Sequence, residues 1–254
     1  MKSVQQIKSM KGKQKITVLT AYDFPTAKLM DGIVDIILVG DSLGMVVLGY
    51  ESTTKVTMDD MLRATGAVAR GAKNTLIVGD MPIGTYDQKK FALENAIFFL
   101  KAGAHAVKIE GKPEIAEFLV KNKIEVMGHI GLTPQTITNF KVQGKDKESA
   151  EKIIDEAVVL EKSGCFSIVL ECIPLALAET ITKKIKIPTI GIGAGVHCDG
   201  QVLVTNDILG LYGDFKPKFL KRYAEIGNEM KKAFENYAKE VREGKFPDDE
   251  NSFH

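Results

Sequence analysis

The sequence predicts an α/β protein folded as a (β/α)8 TIM barrel, and three observations support that prediction. The chain has 254 residues, close to the roughly 250 residues of a typical barrel of this kind. Short apolar, β-branched runs recur along it, and most are continuous instead of alternating with polar residues. Continuous runs are typical of parallel strands that are buried on both faces. Longer amphipathic stretches separate the runs, which indicates alternating strands and helices.

The runs predicted as strands are Ile16–Thr20, Ile33–Val39, Thr75–Val78, Ala106–Ile109, Glu125–Met127, Ser167–Leu170, Thr189–Ile190 and Gln201–Thr205. The stretches predicted as helices between them are Thr57–Gly71, Lys89–Ala102, Pro113–Asn122, Ser149–Ser163 and Leu175–Lys184. Glycines that follow helical runs favour left-handed caps, and Gly71, Gly103 and Gly164 stand at such positions. Pro217–Glu243 is predicted to form one or two more helices. We therefore expect residues 1–254 to be one barrel domain with C-terminal helices and a short tail.

The composition and net charge give no support for a nucleic-acid-binding or membrane-binding protein. Hydrophobic residues make up 44% and charged residues 26% of the chain, which is ordinary for a globular protein. The formal net charge of +1 gives no reason to expect nucleic acid or an anionic membrane as a partner.

The cysteines and the N-terminal stretch indicate the cellular compartment in which the protein is expected. Cys165, Cys172 and Cys198 have no framework spacing, which predicts reduced thiols in a reducing compartment. Residues Met1–Gln14 lack the apolar core of a signal peptide. No apolar run reaches the roughly 18 residues that a membrane span needs. The expected location is the cytoplasm.

A charged or titratable residue ends or follows the apolar run at one predicted strand after another. These residues are Asp23, Asp41, Asp80, Lys108, Glu110, His129 and Glu171. Because the carboxyl ends of barrel strands meet at one mouth, we expect most of these side chains to share a cavity. Several carboxylates buried together are unfavourable unless a cation offsets them. Asp41, Asp80 and Glu110 form an all-oxygen set, which suits Mg²⁺.

An acid at a single strand end has a second interpretation, as a helix N-cap or a solvated loop charge. Repetition of the pattern along the chain weakens this interpretation for the set. From the residues alone, the metal site and the structural alternative both stay open.

Motifs spread in order over nearly the whole chain resemble the ketopantoate hydroxymethyltransferase family. They are Leu19–Ala27, Val39–Met45, Gly79–Tyr86, Val107–Gly111, Gly128–Gln135, Leu170–Pro174, Ile190–Gly195 and Pro217–Tyr223. Gly128–Gln135, with the sequence GHIGLTPQ, is highly specific. The departures are small: Ile83 stands where the family pattern has an aromatic residue, and Met81 where it has another aliphatic one. Neither position belongs to the residues that the resemblance implies as ligands.

The resemblance implies a barrel of the phosphoenolpyruvate/pyruvate type. It implies transfer of a hydroxymethyl group from 5,10-methylenetetrahydrofolate to 3-methyl-2-oxobutanoate (α-ketoisovalerate). The product would be 2-dehydropantoate (ketopantoate), in the first step of pantothenate and coenzyme A biosynthesis. It also implies a homo-oligomer, in the form of a decamer, whose other partners are the small-molecule keto acid and folate.

The resemblance also implies the roles of residues in a Mg²⁺-stabilised enolate mechanism. Asp41 and Asp80 would be direct metal ligands that hold the substrate through the metal, and Glu110 would bind directly or through water. Ser42 would hold the substrate carboxylate. Lys108 would place a positive charge near the substrate oxygens, which favours the developing enolate over the neutral ketone.

Two more residues complete the implied site. Glu171 would be the general base that removes the C3 proton of the keto acid. His129 would orient a substrate group, although a buried structural histidine is an equal alternative.

Other candidate residues have structural interpretations that we favour or weigh equally. Gly191–Gly195 could cradle a phosphate, but tight backbone packing is favoured because neither substrate needs such a site. Cys172 could be a nucleophile, but a small buried hydrophobic role is favoured because no base stands at a fixed spacing. Tyr22 and Asp23 either line the mouth or make structural hydrogen bonds.

Two competing functions remain on the sequence alone. A lyase or mutase of the same barrel superfamily would also use Mg²⁺ to stabilise an enolate, but the Lys-Lys-Cys-Gly-His type of catalytic run is absent from the sequence. The second competing function is that of a non-catalytic barrel that serves binding or assembly. The intact set of Asp41, Asp80, Lys108, Glu110 and Glu171 argues against it.

Overall fold

A computed structural model describes residues 2–136, 141–213 and 217–254. Within those ranges, parallel strands pair in sequence order and β1 pairs with β8, which closes the sheet into a barrel. The strands are β1 (Ile16–Thr20), β2 (Ile36–Val39), β3 (Leu76–Asp80), β4 (Ala106–Glu110), β5 (Val126–Gly131), β6 (Ser167–Glu171), β7 (Thr189–Ile192) and β8 (Gly200–Leu203). The predicted fold class is confirmed.

The chain divides into two compact units, Met1–Val204 and Thr205–His254. The first unit holds the barrel and the helices α1 (Val4–Ser9), α2 (Phe24–Met30), α3 (Leu43–Val46), α4 (Met58–Gly71), α5 (Lys89–Ala102), α6 (Pro113–Lys121), α7 (Lys147–Lys162) and α8 (Leu175–Lys184). A 3-10 turn, Thr53–Lys55, precedes α4. None of the described helices is both long and apolar enough to span a lipid bilayer.

The second unit contains α9 (Thr205–Ile208) and α10 (Ile226–Arg242). Helix α10 is amphipathic and has no buried residue. Its exposed apolar side chains recur every third or fourth residue, which places them on one face; they are Ile226, Met230, Phe234, Tyr237 and Val241. The predicted C-terminal helical segment therefore contains one long helix.

Strand alternation decides which side chains enter the barrel. In β3, Val78 belongs to the inner core cluster, whereas Ile77 belongs to the cluster shared with the outer helices. A side chain at Gly79 would lie 2.3 Å from the ring of Phe99 on α5, so this strand packs tightly against its helix. Alternate residues of a strand point to opposite faces. Asp80 therefore points inward, on the same side as Val78.

Helix α1 packs against the inner core cluster. Val4, Ile7 and Met10 are its buried apolar contacts with that cluster. Ser3 and Gln6 form a capping box that starts the helix. The sequence did not predict this short helix, because one and a half turns carry too little periodicity to be recognised.

Three local predictions are wrong. Strand β8 ends at Leu203, and Thr205, predicted as its last residue, begins α9. Strand β2 begins at Ile36 and not at Ile33, whose side chain is 77% exposed in the turn after α2. Gly71 is the last residue of α4, and the cap residue after it, Ala72, has an extended conformation instead of a left-handed one. The left-handed caps at Gly103 and Gly164 are confirmed by φ angles of 109° and 92°.

Candidate active site

The mouth of the barrel collects titratable side chains from four adjacent strands. Asp80 ends β3, Glu110 ends β4 and Glu171 ends β6. The register pairs Asp80 with Lys108 and Glu110 with His129. All are buried except Glu171, whose side chain is 17% exposed. The structure therefore brings these predicted site residues together on the inner face of the barrel.

Asp41 and Asp80 are neighbouring acids, and the ammonium group of Lys108 pairs with Asp80 and also acts on Asp41 through its charge. The Nζ of Lys108 donates to Asp80 Oδ1 at 2.7 Å, and the backbone N–H of Asp41 donates to Asp80 Oδ2 at 3.2 Å. Burial and then the charge of Asp80 raise the pKa of Asp41 to about 8. Burial alone would lower the pKa of Lys108, but the charges of Asp80, Glu110 and Asp41 outweigh it and raise that pKa. The raised pKa of Asp41 therefore shows that a second negative charge beside Asp80 is unfavourable when no further cation is bound.

His129 lies between two carboxylates. Its Nδ1 is 3.1 Å from Glu110 Oε1 and its Nε2 is 3.2 Å from Glu171 Oε2. Burial would lower the pKa of His129, but the charge of Glu110 in particular raises it to about 9. Burial would likewise raise the pKa of Glu110, but His129 holds it below its ordinary value.

The contacts of His129 with the two acids are close, but their angles do not meet hydrogen-bond geometry. We therefore treat them as attraction between an imidazolium and two carboxylates, because ion pairing depends on distance more than on angle. This arrangement makes His129 an internal cation that bridges β4 and β6.

A glutamine and a tyrosine, to which the sequence assigned no role, complete the hydrogen bonding of the acids. The Nε2 of Gln135 donates to Asp41 Oδ2 at 2.9 Å, and its backbone N–H donates to Glu110 Oε2 at 3.1 Å. The hydroxyl of Tyr86 donates to Gln135 Oε1. Both residues lie within motifs that resemble the family, but a neutral side chain in a loop carries no chemical signal by itself.

Ser42 and its neighbours lie at the start of the short helix α3. The hydroxyls of Ser42 and Tyr22 are 2.8 Å apart, which supports a hydrogen-bonding role for Tyr22. Asp23 accepts a hydrogen bond from the backbone N–H of Thr26 at 2.8 Å and caps α2. The N-cap interpretation of strand-end acids is therefore correct at Asp23, whereas Asp41 instead accepts from Gln135.

Cys172 is half-buried, so the predicted role as a small buried hydrophobic residue is wrong in its burial, although a nucleophile is not supported either. Burial and the charge of Glu171 raise the pKa of the Cys172 thiol to about 11, which leaves little thiolate at neutral pH. A side chain at Gly191 would lie 3.0 Å from the sulfur of Cys198. Close backbone packing therefore accounts for a glycine at that position.

The donor set fits a hard divalent cation. Within the described ranges, no group of three or more His, Cys, Asp or Glu side chains is arranged around a metal position. Asp41 and Asp80 nevertheless form a buried pair of carboxyl groups whose oxygens could bind a cation, and Glu110 is engaged by His129 and Gln135. Mg²⁺ typically takes one or two protein carboxylates and keeps its other positions for water and substrate oxygens.

A family model described as ketopantoate hydroxymethyltransferase matches residues 1–249. The chain belongs to this family. It is 53% identical, over an alignment of 261 residues, to the 3-methyl-2-oxobutanoate hydroxymethyltransferase of Clostridium botulinum (strain Langeland), covering 99% of this chain and 95% of that one. It is 54% identical to the enzyme of the same name from Enterococcus faecalis, covering 94% and 90%. Membership of the family makes the chain an enzyme, a transferase, as the sequence predicted.

Solved structures with low sequence identity support the fold. A phosphonopyruvate hydrolase is 12% identical with a TM-score of 0.65, covering 100% of this chain and 92% of that one. The same kind of enzyme in complex with oxalate and Mg²⁺ has a TM-score of 0.65 at 11% identity, covering 99% and 93%. A 2,3-dimethylmalate lyase, a member of the PEP mutase/isocitrate lyase superfamily, has a TM-score of 0.62 at 12% identity, covering 98% and 90%. These likenesses show the barrel fold.

Proposed function

We propose that this enzyme transfers a hydroxymethyl group from 5,10-methylenetetrahydrofolate to 3-methyl-2-oxobutanoate. The product is 2-dehydropantoate, in the first step of pantothenate and coenzyme A biosynthesis, in the cytoplasm. Family membership supports the acceptor and the transferred group. The proposal extends this to the folate donor, the metal and the residues.

One observation supports the chemistry above all. Glu171 ends β6 on the inner face of the barrel, where its carboxylate lies 3.2 Å from the ring of His129 and shares the mouth with Asp80 and Lys108. A carboxylate at this position can take the C3 proton of a keto acid that is bound at the mouth. Glu171 is partly exposed, so substrate can reach it, and His129 holds it in place.

The other residues bind and orient the keto acid. The hydroxyl of Ser42 and the ammonium of Lys108 are the donors suited to its carboxylate and keto oxygens. Lys108 keeps its charge because the surrounding acids raise its pKa. A fixed positive charge favours the developing enolate over the neutral ketone, and this lowers the barrier.

Asp41 and Asp80 would hold the Mg²⁺ ion, with Glu110 binding directly or through water. When bound, Mg²⁺ supplies Lewis-acid stabilisation of the negative charge that develops as the C3 proton leaves. Water would release the one-carbon unit from the folate as formaldehyde by breaking its two C–N bonds, with tetrahydrofolate as the leaving group. The carbon that has lost its proton to Glu171 then attacks this one-carbon unit and forms the new C–C bond, and the oxygen of the new hydroxymethyl group takes up a proton. His129 carries a positive charge beside Glu171 and orients it.

The decisive experiment is deuterium wash-in at C3 of 3-methyl-2-oxobutanoate in D₂O with Mg²⁺, with and without the folate. We expect exchange at C3, and formation of 2-dehydropantoate only when 5,10-methylenetetrahydrofolate is present. Cleavage of the substrate would instead indicate a lyase. The complete absence of exchange and of product would indicate a non-catalytic barrel.

A variant tests the base. Glu171→Gln should still bind Mg²⁺ and keto acid, while exchange falls by about 100-fold to 10,000-fold, the usual contribution of a general base. Glu179→Gln is the matched control, because Glu179 lies on α8 and pairs with Lys183. Exchange at the wild-type rate in Glu171→Gln would remove Glu171 from the role.

We propose that the enzyme is a homo-oligomer, in the form of a decamer. The apolar face of α10 supports this, because an exposed face of this kind is typical of an interaction surface. Phe234→Glu should lower the mass measured by sedimentation, whereas Lys231→Glu, a charge change on the same helix, should not. An unchanged mass for Phe234→Glu would exclude this face from subunit contacts.

A further inference from the structure

Gln135 is a buried, fully hydrogen-bonded side chain that the proposed mechanism does not use. It lies in the loop after β5 and is 3% exposed. Its Nε2 donates to Asp41 Oδ2 at 2.9 Å and to the backbone carbonyl of Met81 at 3.0 Å. Both N–H bonds of the amide therefore have a partner, and one of them is a carboxylate.

The direction of every hydrogen bond in this network is determined. The backbone N–H of Glu110 donates to the Tyr86 hydroxyl oxygen at 3.3 Å, since an N–H can only donate. The Tyr86 proton is then left for Gln135 Oε1. A flipped amide would turn its oxygen toward the backbone carbonyl oxygen of Met81, which can only accept, so the orientation of the Gln135 amide follows from the network.

The network ends on the carboxylate that the proposed function assigns to the metal. Donation runs from the Glu110 backbone through Tyr86 and Gln135 to Asp41. Asp41 must be ionised to bind a cation, and in that form its hydrogen bond with the Gln135 amide is stronger than one between neutral groups. Because Oδ2 of Asp41 is held by Gln135, rotation of this carboxylate about its Cβ–Cγ bond is restricted.

A purely structural role, in which Gln135 only fastens its loop, does not explain this arrangement. The backbone N–H of Gln135 already fastens the loop, by donating to Glu110 Oε2 at 3.1 Å. The side chain adds contacts to Asp41 and to Met81, which lie at the ends of two other strand segments. It thus connects the loop after β5 to the mouth on the β2 and β3 side.

We propose that Gln135, oriented by Tyr86, is a positioning residue that holds the Asp41 carboxylate in the conformation that binds the divalent cation. This rests on the proposed function in one respect, namely that Asp41 is a ligand of Mg²⁺. Groups that hydrogen-bond to metal ligands typically change metal affinity by about 10-fold to 100-fold when they are removed.

The test is the Mg²⁺ dissociation constant of the full-length enzyme, measured by calorimetry without substrate. Gln135→Leu removes both donors and should weaken Mg²⁺ binding by about 10-fold to 100-fold. Tyr86→Phe leaves the amide in place without its orienting hydroxyl and should weaken binding in the same direction by less. Gln201→Leu is the matched control, because the Nε2 of Gln201 donates to the backbone carbonyl of Gly195 at 2.8 Å. We expect wild-type affinity for this control.

Kinetics separate a positioning role from general damage. In Gln135→Leu the Mg²⁺ concentration for half-maximal activity should rise with the dissociation constant. The kcat at saturating Mg²⁺ should recover to within a few-fold of the wild type, because Gln135 does not touch the reacting atoms. A fall in kcat that Mg²⁺ does not restore would contradict the proposal.

Each outcome of the titration decides the proposal. Wild-type Mg²⁺ affinity in Gln135→Leu overturns it and leaves the proposed function intact. If Gln135→Leu does not fold, Tyr86→Phe decides, and unchanged affinity in that variant overturns the proposal. A wild-type enzyme that binds no Mg²⁺ overturns both this proposal and the metal assignment.

Discussion

Asp35 and Asp41 flank strand β2 at opposite ends and differ in their hydrogen-bond partners and charged neighbours, although both residues are buried. The Asp35 carboxylate accepts hydrogen bonds from the backbone N–H and hydroxyl of Thr17, at 2.8 and 2.9 Å, and from the ammonium of Lys2. The Asp41 carboxylate accepts one from Gln135 and lies beside a second acid, Asp80.

The pKa values of these two acids move in opposite directions. Burial would raise the pKa of Asp35, but Lys2 and Thr17 hold it below its ordinary value. Burial and Asp80 raise the pKa of Asp41 to about 8. Two acids of similar exposure thus have opposite pKa shifts, because Lys2 and Thr17 favour the ionised form of Asp35, whereas deeper burial and the charge of Asp80 disfavour that of Asp41. An acid of the second kind is a candidate functional residue.

The largest effect should come from removing an acid at the mouth. Asp80→Ala leaves Asp41 as the single carboxylate of the pair, so Mg²⁺ binding and activity should fall together, by at least about 100-fold. Metal titration and the rate of product formation measure this. An unchanged metal titration would contradict the assignment of Asp80.

A smaller effect, on stability alone, should come from the opposite end of the barrel. Asp35→Ala leaves the donors of Thr17 and Lys2 without their acceptor, which should lower the free energy of unfolding by about 1–3 kcal/mol at pH 7. Because the pKa of Asp35 is lower in the folded state, its ionised form stabilises the fold at pH values above the ordinary pKa of an aspartate. This stabilisation is lost as the pH falls through the folded-state pKa. The difference from wild type, measured by urea denaturation, should therefore shrink in acid. A changed Mg²⁺ affinity in Asp35→Ala would contradict the distinction between a structural acid at Asp35 and a functional acid at Asp41.

The smallest effect should be a gain in stability. In the metal-free enzyme, the folded pKa of Asp41 is about 8, above the ordinary value of about 3.9. The folded state therefore keeps a proton that the unfolded state releases, and the stability that Asp41 contributes falls as pH rises between these values. Asp41→Asn lacks this pH dependence. Its free energy of unfolding should exceed that of the wild type by about 0.5–2 kcal/mol at pH 9 and by less at pH 5. Equal gains at both pH values would refute the raised pKa.

The fold was predictable because its parallel strands are buried on both faces, so each appears as a short continuous apolar run. Helices such as Lys89–Ala102 were predicted at their observed bounds because they are long enough to show a periodic pattern. Ile33 was wrongly assigned to β2 because a lone isoleucine in a turn has the same local composition as one in a strand. Helix α2 was missed because its seven residues begin with Phe-Pro and show little periodicity.

The acids of the site were predictable from their position at strand ends, but their partners were not. The contacts of His129 with Glu110 and Glu171 depend on the register of three strands, which no local pattern encodes. Gln135 reaches Asp41 across 94 positions of sequence. Such a contact follows only from closing the barrel, so Gln135 could not be distinguished from an ordinary loop residue.

The segment after helix α1 has a consequence for biosynthesis. The Nζ of Lys11 donates to Asp199 Oδ2 at 2.7 Å, across 188 positions of the chain. Asp199 also accepts from the backbone N–H groups of Gly12 and Thr189. Contacts of such long range form late, because the intervening chain must be ordered first. During synthesis, Lys11 and Gly12 therefore make these contacts only after Asp199 has been added to the chain, and until then the apolar side chains of Val4, Ile7 and Met10 lack their final packing.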